Sequence, residues 1–248
     1  MEQQVRFIKN LVLFPVILLA SVYSTGQVQN KLEITPLVEG CYIYTTYGDP
    51  GDGSAYPANG MYIITSKGAI LFDTPWDTTQ FQPLLDSIFL RHHQRVVLCI
   101  STHFHSDRTA GLEFYTDQGI KTYSSKQTFD LCAKRQEKQS QYFFTKDTIF
   151  RIGGQKIETY YPGPGHAPDN IVIWSGNKKV LYGGCFVKST ETNSPGNLGD
   201  ANLKEWRTAI YKVIKKFPAA QYVIPGHLGW SQNGLKHTAD IVDEALTK

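Results

Sequence analysis

Two periodicities divide the hydrophobic and polar positions of this chain, one typical of β-strands and the other of amphipathic helices. Short apolar runs that are bounded by Gly, Pro, Asn or Asp predict the strands. These runs cover residues 41–47, 61–65, 69–72, 96–100, 156–161, 171–174, 180–182 and 222–224. Helical patterns fall between several of them, and this interleaving predicts an α/β fold built of packed layers.

Four segments carry apolar residues at the spacing of one buried helix face. They cover residues 81–89, 126–137, 203–214 and 235 onward. Thr78 or Thr79 is placed to cap the start of the first helix, because a hydroxyl oxygen can accept a hydrogen bond from an unpaired N–H of the first turn. The four segments therefore predict amphipathic helices that cover a sheet.

Residues 48–54, with the sequence Gly-Asp-Pro-Gly-Asp-Gly-Ser, separate the first two strand runs. So many turn-forming residues in a row are unable to continue either strand, and they predict an exposed hairpin loop. A plain connector and a functional flap are both consistent with this composition.

The apolar run nearest the start of the chain differs from all of these segments. Arg6 and Lys9 precede residues 11–20, and small and polar residues follow. This order is typical of a secretory signal peptide, and the run is shorter than the about 20 apolar residues of a transmembrane helix. We expect cleavage after residue 26, giving a signal peptide of residues 1–26 and one exported, periplasmic domain of residues 27–248. An uncleaved membrane anchor is the alternative.

Charge excludes one class of partner. The predicted signal peptide contains two basic residues and one acidic residue, so the formal charge falls from +3 for the whole chain to +2 after cleavage. Basic and acidic residues are mixed along the rest of the sequence and form no basic stripe. We therefore expect no nucleic acid partner. Because the apolar run is expected to be cleaved, we expect no stable membrane anchor. Nothing in the sequence requires more than a monomer, which is what we expect.

Four cysteines are an even number, and in an oxidising compartment they could form two disulfides. Cys41 and Cys99 lie in strand-like runs, and Cys132 lies on the apolar side of a predicted helix. Each is therefore also typical of a small buried hydrophobe. We expect these three thiols to be unpaired, with a Cys41 to Cys99 bridge as the alternative.

One segment concentrates metal-ligand side chains directly after an apolar strand. Residues 101–107 have the sequence Ser-Thr-His-Phe-His-Ser-Asp and follow the predicted strand 96–100. Residues two apart in an extended segment face the same side, so His103, His105 and Asp107 can converge on one point. This convergence is the strongest indication of function in the sequence.

Three further ligand-type residues follow glycines in turns beside predicted strands, namely His166, Cys185 and His227. Glycine permits the tight backbone paths by which a turn can place a ligand. Imidazole, thiolate and carboxylate together suit zinc, whereas magnesium and calcium prefer oxygen. A catalytic zinc ion normally takes three protein ligands, so the six residues predict two zinc sites.

The chemically natural partition separates an all-imidazole site from a mixed site, although spacing along the chain leaves other groupings open. The first site takes His103, His105 and His166, and the second takes Asp107, Cys185 and His227. Two zinc ions about 3.5 to 4 Å apart can share a hydroxide, because metal binding lowers the pKa of water to about 7. The cluster therefore predicts a nucleophile at neutral pH.

These motifs resemble the metallo-β-lactamase superfamily, whose signature is His-x-His-x-Asp followed by a distant His, a Cys or Asp, and a final His. The resemblance covers nearly the whole mature chain. Glyoxalase II-like and many nuclease-like members have His directly after the Asp and an Asp at the later bridging position. Here Arg108 and Cys185 occupy those positions, which is similar to the subclass B1 β-lactamases. The segment Asp73-Thr74-Pro75-Trp76 also matches.

The resemblance implies a four-layer αβ/βα sandwich with the metals at one edge between its halves. It also implies zinc-dependent hydrolysis of the β-lactam amide of penicillins, cephalosporins and carbapenems by a metal-bound hydroxide, and hence antibiotic resistance. It assigns catalytic roles to Asp107, Lys188 and Asn197. Lys188 is expected to bind the substrate carboxylate, and Asn197 to polarise the lactam carbonyl. The loop 48–54 takes the place of the family's substrate-covering hairpin.

Two other functions stay open on the sequence alone. A hydrolase of the same fold that acts on a thioester, lactone or phosphodiester would use the same ligands, as would an exported zinc-binding protein without turnover. The alternatives for Lys188 and Asn197 are a solvated lysine and a loop asparagine without contact to substrate. Asp73 is either a carboxylate that orients the ligand loop or a purely structural one.

Overall fold

Two β-sheets form the centre of the computed structural model, which describes residues 32–247. The first sheet contains, side by side, β1 (Glu33–Val38), β2 (Cys41–Gly48), β3 (Tyr56–Thr65), β4 (Gly68–Phe72), β5 (Val96–Ile100), β6 (Lys121–Ser125) and β7 (Tyr142–Phe144). The second contains β8 (Ile149–Ile152), β9 (Gln155–Tyr160), β10 (Val172–Ser175), β11 (Val180–Gly184) and β12 (Tyr222–Pro225). The predicted signal peptide lies outside the described residues.

Helices cover the outer face of each sheet. They are α1 (Phe81–His92), α2 (Ser106–Thr109), α3 (Leu112–Asp117), α4 (Lys126–Arg135), α5 (Leu203–Lys216) and α6 (Gly234–Thr247). Apolar residues of α1 and α3 pack on the first sheet, and those of α5 and α6 pack on the second. Among the described helices, none is long and apolar enough to cross a membrane.

The inner faces of the two sheets pack against each other through fully buried apolar side chains. Ile43 and Met61 from the first sheet belong to the same cluster as Ile173 and Ile224 from the second. Burial of apolar surface on both sides of each sheet is the main favourable contribution to such a fold. The layer order of helices, sheet, sheet and helices confirms the predicted four-layer αβ/βα sandwich.

The structure corrects several predicted elements. The N-cap position of the first helix is Gln80, which makes no side-chain cap bond. A 3-10 turn at Thr78–Gln80 precedes the helix, and Asp77 caps this turn by accepting a hydrogen bond from the Thr79 N–H at 2.8 Å. The prediction of a threonine cap was wrong because this acidic residue lies one position earlier and accepts the bond instead. Strands β1, β6, β7 and β8 were not predicted, since they are short or mix polar with apolar residues.

The residues between β2 and β3 form the predicted exposed hairpin loop. Strands β2 and β3 pair antiparallel, and the intervening residues 49–55 are exposed. The carboxylate of Asp49 accepts hydrogen bonds from the backbone N–H groups of Gly51 and Gly53, at 2.7 and 2.9 Å. The loop therefore holds its shape through its own turn residues.

All four cysteines lie in the described part of the chain, and all are free. Cys41 packs in the core between the sheets, whereas Cys99 packs in the core beneath α1. The two residues belong to different apolar clusters on opposite sides of one sheet. The structure thus bears out the expectation of unpaired thiols over the alternative Cys41 to Cys99 bridge.

Candidate metal centre

A buried carboxylate fixes the start of the turn that follows β5. Asp73 is fully buried at the end of β4, with a left-handed φ of 61°. It accepts hydrogen bonds from the backbone N–H and the hydroxyl of Thr102, at 2.7 and 2.9 Å. Burial raises the pKa of Asp73 to about 6, against the opposing effect of Arg108. Of its two possible roles, orientation of the ligand loop is therefore the one that its contacts support.

Three imidazole rings meet directly after this turn. Nδ1 of His105 lies 3.1 Å from Nε2 of His103 and 3.2 Å from Nε2 of His166. Burial lowers the pKa values of His103 and His166 well below their ordinary value. Both rings are therefore neutral at pH 7, so each can offer a lone pair. The structure brings together the three residues of the predicted all-imidazole site.

The mixed group lies beside the imidazoles. Sγ of Cys185 is 3.4 Å from Oδ2 of Asp107 and 3.2 Å from Nε2 of His227. Nδ1 of His227 donates to the carbonyl of Pro57 at 2.7 Å, which leaves Nε2 as the atom with a lone pair facing Cys185 and Asp107. One nitrogen, one sulfur and one oxygen thus converge, as predicted for the second site.

Two glycines allow Cys185 and His227 to approach the turn after β5. Gly184 has a left-handed φ of 51°, and a Cβ there would lie 2.8 Å from the hydroxyl of Thr102. At Gly226, a Cβ would lie 2.7 Å from the backbone nitrogen of Cys185. Since β11 and β12 pair in parallel, their carboxyl ends carry both ligand-type residues to the same edge. Any side chain at these glycines would separate the two segments.

A guanidinium group lies under the mixed group. Arg108 is only 1% exposed, and it donates from Nε to Oδ2 of Asp107 at 3.0 Å and from Nη2 to the carbonyl of Gly226 at 2.7 Å. Burial acts to raise the pKa of Asp107, but Arg108 and His227 hold this pKa well below its ordinary range. The carboxylate is therefore ionised. Sequence reasoning used Arg108 only as a departure from other superfamily members and missed this contact.

Four of the candidate ligands, His105, Asp107, His166 and His227, lie at the floor of a cleft of about 540 Å³, whereas His103 and Cys185 are buried and do not line it. Tyr56 and Trp76 line its wall, and the hairpin loop contributes Asp52 to its mouth. The ring of Tyr56 is centred 5.2 Å from that of His227, so Tyr56 faces the cleft. The cleft has an apolar wall and a polar floor, as small-molecule sites usually do.

Lys188 and Asn197 both line this cleft. Lys188 is 8% exposed, and burial lowers the pKa of its ammonium group. Asn197 is exposed on the opposite loop, and its Oδ1 accepts a hydrogen bond from the N–H of Gly199 at 2.8 Å. This bond engages the amide oxygen, so the Nδ2 group is the one that can donate into the cleft.

Trp206 is a buried support that sequence reasoning did not assign to the site. Its ring centroid lies 5.3 Å from Nζ of Lys188 and 5.9 Å from the ring of His166. Its indole N–H donates to the carbonyl of Phe186 at 3.0 Å. On the sequence, Trp206 is indistinguishable from the other apolar residues of its helix, so no local signal could have revealed these contacts.

The donor set has the chemistry of a zinc centre. Three overlapping groups of side chains have nitrogen, sulfur or carboxylate oxygen atoms that all lie within 4.8 Å of one another. They are His103 with His166 and Cys185, His103 with His105 and Asp107, and Asp107 with Cys185 and His227. Zinc accepts this mixture of ligands, whereas magnesium and calcium require oxygen. The residues therefore fit a transition-metal centre better than a magnesium or calcium site.

Comparisons with known proteins agree with this chemistry. Residues 53–227 match the model of the metallo-beta-lactamase superfamily. A metallo-beta-lactamase type 2 from Elizabethkingia meningoseptica is 39% identical over 231 residues, which are 93% of this chain and 92% of that protein. Metallo-beta-lactamase IND-1 from Chryseobacterium indologenes is 36% identical over 245 residues, 98% of this chain and 100% of that protein.

The fold agrees as well. The solved structure of a metallo-beta-lactamase from Pontibacter korlensis superposes with a TM-score of 0.82 at 36% identity, covering 86% of this chain and 99% of that chain. The match to the family model spans the His103 turn, the Cys185 turn and His227. The chain therefore belongs to the metallo-β-lactamase superfamily, the family that its motifs resemble.

Proposed function

We propose that this protein hydrolyses the amide bond of β-lactam antibiotics, with penicillins, cephalosporins and carbapenems as substrates, and that it confers resistance to them. The observation that carries the proposal is the meeting of six ligand-type side chains at a cleft that four of them line together with Lys188 and Asn197. The metallo-beta-lactamases to which the chain is similar support the same activity.

The proposed cofactor is a pair of zinc ions. One is held by His103, His105 and His166, and the other by Asp107, Cys185 and His227. The short distances within each trio support this grouping. When bound, two zinc ions supply Lewis-acid chemistry that lowers the pKa of water towards 7 and stabilises developing negative charge.

The protein's own groups are proposed to bind and orient the substrate. The Lys188 ammonium pairs with the carboxylate that β-lactams carry beside the ring nitrogen, and Nδ2 of Asn197 donates to the lactam carbonyl oxygen. Asp107, which Arg108 keeps ionised, accepts a hydrogen bond from the attacking water. The mouth of the cleft is closed on one side by the loop between β2 and β3, which we propose covers the bound substrate.

The first experiment is turnover of a chromogenic cephalosporin and a carbapenem by the purified protein. We expect hydrolysis that is lost on chelation and regained when zinc is restored. A thioester, a lactone and a phosphodiester are assayed beside them, because these would be the substrates of other hydrolases with this fold. No β-lactam turnover by a protein with two bound zinc ions would contradict the proposal.

Lys188 provides a second prediction. Replacing it with alanine is expected to raise KM about 10- to 100-fold with a smaller change in kcat, since a hydrogen bond to a charged group contributes about 1.5–3 kcal/mol. As the pH rises through the lowered pKa of Lys188, its ammonium loses its charge, so the KM of the unmodified protein should rise at alkaline pH. Lys188→Ala should lack this rise, whereas Lys236→Ala, at an exposed position, should keep it.

We further propose that residues 1–26 direct export and are removed, leaving a single monomeric domain of residues 27–248 in the periplasm. The apolar run after Arg6 and Lys9 supports this proposal. Its test is cell fractionation followed by N-terminal sequencing and size-exclusion chromatography of the exported protein. An intact N-terminus in the membrane fraction would show an uncleaved anchor instead.

A further inference from the structure

One acidic side chain of the cleft has no part in the proposed mechanism. Glu137 follows the end of α4 and lines the same cleft as Lys188, His105 and Asp107. Its side chain is partly buried, and His105 and Asp107 are the charged groups that act most strongly on its carboxyl. Glu137 therefore faces the candidate metal centre from the wall of the cleft.

The end of α4 fixes the backbone of Glu137 at this wall. Gln136, directly before it, has a left-handed φ of 61°. The N–H groups of both residues donate to the carbonyl of Cys132 in the last turn of the helix. A left-handed residue at this position reverses the direction of the chain and satisfies the last carbonyls of the helix. The place of Glu137 is thus set by a helix end rather than by a free loop.

The other acidic groups on the wall already have partners. Asp200 accepts hydrogen bonds from Arg135 and from a ring nitrogen of a histidine, and Asp52 accepts one from the N–H of Ser54 at 2.9 Å. By contrast, within residues 32–247 no side chain forms a hydrogen bond or an ion pair with the Glu137 carboxylate. The carboxylate is therefore available to a ligand.

The pKa of Glu137 agrees with this isolation. Burial raises it above its ordinary value, Asp107 acts in the same direction, and the opposing effects of His105 and Lys138 are each smaller than that of burial. The ammonium of Lys138 is directed to Glu113 instead, at 2.8 Å. The negative charge of Glu137 is thus left largely uncompensated by the protein itself.

Lys188 and Glu137 give the cleft one cationic and one anionic group, and these two described residues do not pair with each other. In the proposed assignment, Asp107 and Cys185 are the only anionic ligands, so a floor with two zinc ions would be net positive. A cationic group on a substrate would be repelled there. An anion on the wall offsets that repulsion, because charges in a partly desolvated cleft interact more strongly than in bulk water.

We propose that Glu137 is a specificity-determining residue that binds a cationic group on the acyl side chain of a β-lactam. Substrates with an ammonium group there are then favoured over the same substrates without it, while their ring carboxylate pairs with Lys188. This inference rests on the proposed function and deepens it by naming the class of substrate, namely zwitterionic β-lactams.

Two penicillins that differ by one amino group test the proposal. Ampicillin carries this group on its acyl side chain, whereas benzylpenicillin is the same molecule without it. The quantity measured is the ratio of kcat/KM for ampicillin to kcat/KM for benzylpenicillin, at a pH where the amine is protonated. We expect Glu137→Gln to lower this ratio about 2- to 5-fold, mainly through the KM of ampicillin, which is the range for a charge pair that solvent reaches. Glu137→Lys should lower it further, because the lysine repels the ammonium group.

Glu39→Gln is the matched control. Glu39 is exposed in the turn between β1 and β2 and does not line the cleft, so this variant makes the same change in net charge at a distant place. Its ratio should equal that of the unmodified protein. Added salt should move the ratio of the unmodified protein towards that of Glu137→Gln, since screening weakens the attraction between charges that solvent reaches.

The outcomes separate this inference from the proposed function. If both penicillins are hydrolysed and Glu137→Gln leaves their ratio unchanged, the role of Glu137 is overturned and the proposed function stands. An equal fall in Glu137→Gln and Glu39→Gln would trace the effect to net charge and would also overturn the role of Glu137. A zinc-loaded protein that hydrolyses no β-lactam overturns the proposed function and this inference with it.

Discussion

Arg108→Ala is expected to lower the free energy of unfolding of the zinc-free protein by about 3–5 kcal/mol, the usual cost of removing one partner of a buried ion pair. The guanidinium is nearly inaccessible and lies between the carboxylates of Asp107 and Asp73. It also donates to the carbonyl of Gly226 and to the hydroxyl of Tyr182, which join the second sheet to the turn after β5. Its loss leaves two buried carboxylates without their cation.

Urea denaturation of the chelated protein measures this effect. Arg207→Ala is the matched control, because Arg207 pairs with Asp243 at 2.7 Å but is more than half exposed, and such surface pairs contribute about 0–1 kcal/mol. Arg108→Lys should fall between the two, since it keeps the charge and loses the fork of donors. Equal stabilities for Arg108→Ala and Arg207→Ala would show that the buried guanidinium has no special role.

Cys185→Ala is expected to abolish tight binding of the second zinc ion and to lower kcat/KM at least about 100-fold. The thiol lies between Asp107 and His227, and burial raises its pKa, so without a metal it stays protonated at neutral pH. Removing a metal ion that contributes several kcal/mol to the transition state accounts for a loss of this size. The three imidazoles should still hold one zinc ion.

Zinc per chain, measured by atomic spectroscopy after dialysis, and cephalosporin turnover together test this expectation. Cys41→Ala is the control, because Cys41 is a fully buried thiol in the core between the sheets. It should lose some stability through the cavity it creates and keep both zinc ions and its kcat/KM. Two retained zinc ions and full turnover in Cys185→Ala would refute the assignment of the mixed site.

The sequence was sufficient to predict the parts of the site that depend on local geometry. His103, His105 and Asp107 alternate directly after a strongly apolar strand, and each of the other three candidates follows a glycine. The same was true of the long helices and of strands with continuous apolar runs such as β5. These features are encoded within a few neighbouring residues, so one sequence reveals them.

Contacts between segments that are distant in the sequence leave no pattern among neighbouring residues, so they could not be predicted. The environment of Arg108 is formed by four strands and turns, and that of Asp200 by α4 and the turn after β5. The role of Trp206 depends on where Lys188 and His166 lie in space. Short polar strands such as β6 also escaped prediction, because their pairing partners rather than their own residues stabilise them.

The six candidate ligands come from both halves of the sandwich. In the proposed assignment, each ion takes ligands from the turn after β5 and from turns of the second sheet. Each ion therefore cross-links the two halves of the sandwich. Ligands that bind only the folded state stabilise it by an amount that grows with their free concentration, about 2.7 kcal/mol at 100 times Kd. Removal of zinc should therefore make the protein more susceptible to proteolysis as well as abolish its activity.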